Sequence, residues 1–107
     1  MAWTVSIRPK ATRDLRNQMA YFATNVNIAL ADRFELMFKD TIEKIQVAPE
    51  LGVLYAARSK KTRGLRFRKM TRFKKHLVFY RITRNVVEIV RVLHGARNLD
   101  RILRKGE

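Results

Sequence analysis

Two apolar stripes at helical spacing stand end to end in the first half of the chain, and they constrain its fold more than any other feature. The first runs through Ala11, Leu15, Met19, Phe22 and Val26. The second runs through Leu30, Phe34, Met37, Phe38, Ile42 and Ile45. Steps of three and four residues keep each set on one face of an α-helix. Pro9 suits the first turn of the first helix, and Asn25 or Asn27 can cap the second, which is expected over 28–46. Glu35 with Lys39 and Asp40 with Lys44 are favourable pairs on its wet side. So few residues join the helices that they must form an antiparallel hairpin.

The period then changes from helical to two. Trp3, Val5 and Ile7 alternate with polar residues and predict a half-buried strand before Pro9. Pro49 and Gly52 open a connection reaching about Arg63, which includes the basic run Ser59-Lys60-Lys61-Thr62-Arg63. Three strands follow. Over 64–73, Leu65 and Phe67 share one face, and Arg66, Arg68 and Arg72 share the other. Lys74-Lys75 reads as a turn, 76–82 as the most apolar strand, and Thr83-Arg84-Asn85 as a second turn. Residues 86–93 are apolar on both faces apart from Glu88 and Arg91, the pattern of a central strand. His94-Gly95-Ala96 ends it. Residues 98–105 read as a short amphipathic helix or turn with Leu99, Ile102 and Leu103 inside and Arg101, Arg104 and Lys105 outside. The expected architecture is a single α+β domain over 1–107: an N-terminal strand, an α-helical hairpin, a three-stranded antiparallel meander and a short C-terminal helix, with the helices on one face of the sheet.

Charge bears on function rather than fold. The chain of 107 residues has 24 Lys+Arg against 9 Asp+Glu, a net +15. The first 57 residues contribute only +1 and the remaining 50 contribute +14. Such a field raises encounter rates with polyanions and acidic proteins. No cysteine is present, which excludes disulfides and thiolate metal sites. No apolar run approaches the about 20 residues of a membrane span, and the start lacks the pattern of a signal peptide. A cytoplasmic setting without membrane association is therefore expected.

Two histidines, four glycines and few acidic groups in the second half leave little room for chemistry. No metal-binding spacing, phosphate loop or nucleophile motif occurs, so neither metal nor cofactor is expected. Arginine remains. Arg66, Arg68 and Arg72, with Arg81 one strand over and Arg97 after the last strand, could bind phosphate through their forked donors. They could equally form a solvated face. His94 at the end of a central strand could serve as a general acid or base, or simply close a turn by a hydrogen bond. The aromatic residues Phe67, Phe73, Phe79 and Tyr80 read mainly as core.

Several segments resemble the RelE/ParE toxin superfamily of type II toxin–antitoxin systems. They are Asp14-Leu15 followed by Tyr21, Pro49-x-x-Gly52, Leu65-Arg66, Leu77-Val78-Phe79-Tyr80-Arg81-Ile82 and, above all, Arg91-Val92-Leu93-His94-Gly95-Ala96-Arg97-Asn98-Leu99. The resemblance covers nearly the whole chain and implies the fold expected above. RelE-like members are ribosome-dependent mRNA endoribonucleases; that branch would make His94, Arg81 and Arg97 catalytic, with Arg66, Arg68 and Lys75 positioning mRNA. ParE-like members inhibit DNA gyrase and carry no catalytic set. Leu99-Asp100 stands where many ribonuclease members end in a tyrosine motif, and the His-Gly-Ala-Arg-Asn-Leu segment is closer to the ParE branch, although Asn98 replaces its usual Asp. The ParE reading implies a toxin that contacts its target through Arg66, Arg68, Arg72, Lys75, Arg97, Arg101 and Arg104. In both branches the partner is a cognate acidic antitoxin, ParD-like or RelB-like. A basic module that binds nucleic acid by charge alone, without toxicity, is the third reading.

Overall fold

A computed structural model describes residues 3–56 and 59–104. In chain order the elements are β1 (Thr4–Ile7), α1 (Pro9–Asn25), α2 (Ile28–Val47), β2 (Val53–Leu54), β3 (Leu65–Met70), β4 (Phe73–Thr83), β5 (Val86–His94) and α3 (Leu99–Arg104). Single 3₁₀ turns occur at Pro49–Leu51 and Lys60–Thr62. Arg58 and Lys105 of the basic second half lie outside the described residues.

The helical hairpin forms as its stripes dictate. Pro9 opens α1. Asn27 caps α2, its side-chain carbonyl accepting the Leu30 N–H at 2.8 Å, while Asn25 donates back to the Tyr21 carbonyl at 2.9 Å and closes α1. Val26 falls in the turn and is exposed rather than continuing the stripe. Phe34, Phe38 and Ile45 carry the buried face of α2.

The sheet has the order β1-β5-β4-β3-β2. β3, β4 and β5 form the antiparallel meander, and β5 is interior, as its two-sided apolar pattern requires. Two features go beyond the expectation. β1 pairs with β5 in parallel, and Val53–Leu54 adds a two-residue edge strand against β3 within the segment read as a loop. Each face of the sheet has its own core. The helices cover Met70, Val78, Tyr80, Val87 and Ile89. On the opposite face Leu65, Phe79, Val90 and Leu93 pack under Leu103 of α3.

The β3–β4 turn is corrected from Lys74-Lys75 to Thr71-Arg72. Met70 pairs with Phe73, and both side chains pack into the helix-side core, Phe73 with its ring 4.9 Å from that of Phe34. Burying this pair leaves only two residues for the loop, and such short loops need a left-handed residue. Arg72 supplies it at φ 65°. Arg72 therefore leaves the strand face it was expected to share with Arg66 and Arg68, and Lys74 and Lys75 belong to β4. That face is also not the outer one. Arg66 and Arg68 alternate in register with Met70, so they lie on the helix side of the sheet, beyond the cover of α2.

Candidate functional site

The β5–α3 connection shapes the first candidate region. The Gly95 N–H donates to the Lys75 carbonyl at 2.7 Å and the Arg97 N–H to the His94 carbonyl at 3.1 Å. His94 Nδ1 accepts the Ala96 N–H at 3.0 Å, which leaves the ring proton on Nε2. His94 is thus a turn-forming residue. Beside it a cleft of about 490 Å³ opens between α1 and the ends of β4 and β5, lined by Asn17, Gln18, Tyr21, His76, His94 and Arg97 among others. Asn98 caps α3, accepting the Arg101 N–H at 3.2 Å. It does by a carbonyl what an Asp at this position would do by a carboxylate.

His76 sits directly opposite His94 in the β4–β5 register, with ring centroids 5.0 Å apart and planes at 80°. It is only 7% exposed and is surrounded by the rings of Phe22, Phe34 and Phe73. Burial, then the neighbouring His94, push its pKa down to about 4, so it is neutral at pH 7. Its Nε2 is buried with no hydrogen-bond partner among the described residues. The folded pKa lies below the unfolded one, so His76 supports the fold fully above about pH 6.5 and loses that support as pH falls toward 4. Urea denaturation is expected to show about 2 kcal/mol less stability at pH 5 than at pH 7 from this group. His76→Phe should remove that part of the acid dependence; an unchanged slope would refute the assignment.

The expected site residues are dispersed over the molecule. Arg97 shares the cleft with His94, but Arg81 does not. Arg81 lies five positions along β4 from His76, about 17 Å at strand rise, and donates to the Lys61 and Arg63 carbonyls of the preceding loop. Arg66 likewise donates to the Glu50 and Gly52 carbonyls, at 3.1 and 2.9 Å. Arg101 and Arg104 face Lys60 and Lys61 across a concavity of about 670 Å³, with Arg104 also 3.4 Å from Asp100. Arg68 and Arg72 line a basic concavity of about 650 Å³ with Lys44, Lys69 and Lys74. Lys75 lies in an adjoining one of about 380 Å³. Sequence reading missed Lys44 and His76. Lys44 comes from α2 and meets the hairpin only through folding; His76 was read only as part of an apolar strand. Among the described residues no group of three or more metal-ligating side chains gathers, and no helix is long and apolar enough to cross a membrane.

A family model described as the ParE toxin of type II toxin–antitoxin system, parDE, matches residues 5–99. The chain belongs to the ParE toxin family. Among solved structures, a chain of the chromosomal ParDE TA system from P. aeruginosa is similar at a TM-score of 0.72 with 14% identity, covering 87% of this chain and 96% of that one. At that identity the likeness is one of fold. The search of curated proteins found no match.

In this ParE-family chain several motif residues hold the fold together. Asp14 of α1 receives both Arg91 donors, Nε at 2.7 Å and Nη2 at 2.9 Å, and also the Val92 N–H at 3.0 Å. The pairing register slips by one residue between Phe79 and Tyr80. This bulge on β5 lets both Arg91 and Val92 engage the helix side. The Tyr80 hydroxyl donates to the Pro49 carbonyl at 2.5 Å. A Cβ on Gly52 would stand 1.9 Å from that hydroxyl oxygen, so the Pro49-x-x-Gly52 spacing is the seat of Tyr80.

Proposed function

We propose that this chain is the toxin of a type II toxin–antitoxin pair, that it inhibits DNA gyrase by binding rather than by catalysis, and that a cognate acidic antitoxin neutralises it in the cytoplasm. The family match supports the toxin role, and the ParDE system named for the structural relative supports an antitoxin partner. One observation favours inhibition over RNA cleavage. The ribonuclease reading needs His94, Arg81 and Arg97 around one phosphate, but Arg81 is bonded into the 61–63 loop about 17 Å along the sheet. His94 in turn commits Nδ1 to its own turn. Arg97, Arg101 and Arg104 are the proposed gyrase contacts, the latter two reinforced by Lys60 and Lys61 across their concavity. The +14 carried by the second half would speed capture of an acidic antitoxin, whose disordered tail could order as it docks.

The test is a gyrase supercoiling assay with the purified chain. Inhibition is expected, with an Arg101→Glu/Arg104→Glu variant needing at least about tenfold more protein, since mispairing charges at an interface costs a few kcal/mol. Ribosome-dependent mRNA cleavage without loss of supercoiling would replace this reading by the RelE-like one. Neither effect would leave the basic nucleic-acid-binding module.

A further inference from the structure

Three concavities at the β3–β4 end of the molecule share walls. Arg72 and Lys74 line both the first and the second. His76 and His94 line both the second and the cleft beside α1. Together they form one groove that runs from Lys44 and Arg68, past Arg72, Lys74 and Lys75, to Arg97. We infer that this groove binds the phosphate backbone of a nucleic acid, a role that goes beyond gyrase inhibition and does not depend on it.

Charge carries the first part of the argument. Arg68, Lys69, Arg72, Lys74 and Lys75 make no ion pair among the described residues. The two nearest carboxylates, Asp14 in the cleft and Asp40 beside Lys44, are already engaged. The Thr71 hydroxyl and then the Lys44 ammonium, at 2.7 and 3.0 Å, hold Asp40 below its ordinary pKa, and Asp14 is held by Arg91. Asp40 also answers Arg68 at longer range, but the cations of the row outnumber the carboxylates beside it, and such a row attracts a polyanion. Backbone conformation carries the second part. Arg72 occupies the left-handed region at φ 65°, which glycine or asparagine would adopt at lower cost. The two-residue turn thus presents a guanidinium, where glycine would cost less, at the centre of the groove.

The far end of the groove favours nucleic acid over an acidic peptide. There the Tyr21 ring is 58% exposed, close to His94 and to the amides of Asn17 and Gln18. Planar rings and amides suit bases, as in other single-strand grooves. An amphipathic peptide would seek the separate apolar concavity of Leu30, Leu36, Met37 and Phe73 that adjoins Arg72, whereas the walls from Lys44 to Lys75 are mainly cationic. His76 adds a buried, unpartnered Nε2 at the junction.

The experiment is fluorescence anisotropy with labelled single-stranded and duplex DNA of equal length, without gyrase, between about 50 and 200 mM salt. The Arg72→Gly/Lys74→Gln variant is expected to bind about tenfold more weakly, with a log–log salt slope reduced by about 1.5. Arg84→Gly is the control. Arg84 occupies the same left-handed region, at φ 55°, at the other end of β4, about 35 Å away. It removes a charge and relieves the backbone just as Arg72→Gly does, but should leave binding unchanged. Preference for the single strand, weakened by Tyr21→Ala, would assign the aromatic end to bases; equal binding of the duplex would assign the groove to phosphates alone. Equal losses in the Arg72/Lys74 and Arg84 variants would show mere net charge and overturn the proposal. So would no binding of either DNA at 50 mM salt, or binding of an Asp/Glu-rich peptide in their place.

Discussion

Asp14→Ala is expected to cost about 3–5 kcal/mol, the usual penalty for stripping one partner from a buried ion pair. The carboxylate is the meeting point of three charge-assisted hydrogen bonds, and its side chain and that of Arg91 are only 11% and 14% exposed. Removing it leaves a guanidinium without a counter-charge beneath α1 and the Val92 N–H without that acceptor. Thermal unfolding should fall by more than about 10 °C in a domain of this size. An Asp14→Leu/Arg91→Leu double variant should recover part of the loss, because no charge is then stranded; the orphaned Val92 N–H sets a residue of about 1–3 kcal/mol. A single-variant loss under about 1 kcal/mol would show that the clamp does not join the helix to the sheet.

Gly52→Ala should be the next most damaging small substitution, at about 2–4 kcal/mol. The added carbon would stand 1.9 Å from the Tyr80 hydroxyl oxygen and 2.6 Å from the adjoining ring carbon. The tyrosine cannot swing away, because its ring is 1% exposed in the helix-side core. Either the ring or the 49–52 turn must move, and the hydroxyl then loses the Pro49 carbonyl. The Glu50 and Gly52 carbonyls that hold Arg66 would shift with the turn. Tyr80→Phe in the Gly52→Ala background removes the closest clash and should restore part of the stability. Equilibrium denaturation of the four proteins forms the cycle that measures this coupling. A loss below about 0.5 kcal/mol would mean that the turn yields as a unit.

The two predictions explain which motif residues were legible and for what. Asp14, Pro49, Gly52, Tyr80 and Arg91 carry the family resemblance, yet each contacts another element of the fold. Their partners lie 28 to 77 positions away, beyond any local spacing rule. The helical hairpin was readable because a 3.6-residue period over two long stretches has few other solutions. The interior place of β5 was readable because an apolar pattern on both faces demands cover on both. The β3–β4 turn was not, because two lysines suggest a wet loop while the pairing of Met70 with Phe73 is set by a core that α2 supplies.

By itself the sequence determined the α+β class, the hairpin, the interior strand, the ParE-like resemblance and the concentration of charge after residue 57. These follow from local periodicity, composition and contiguous motifs, none of which needs to know what touches what. Only the tertiary structure decided what the arginines do. It placed Arg66 and Arg81 on loop carbonyls, Arg91 on Asp14, Arg101 and Arg104 opposite Lys60 and Lys61, and Arg68 and Arg72 beside Lys44 of α2. The physical reason is that a guanidinium's role depends on the acceptor within about 3 Å of it. For Arg66, Arg81 and Arg91 that neighbour comes from another element of the fold.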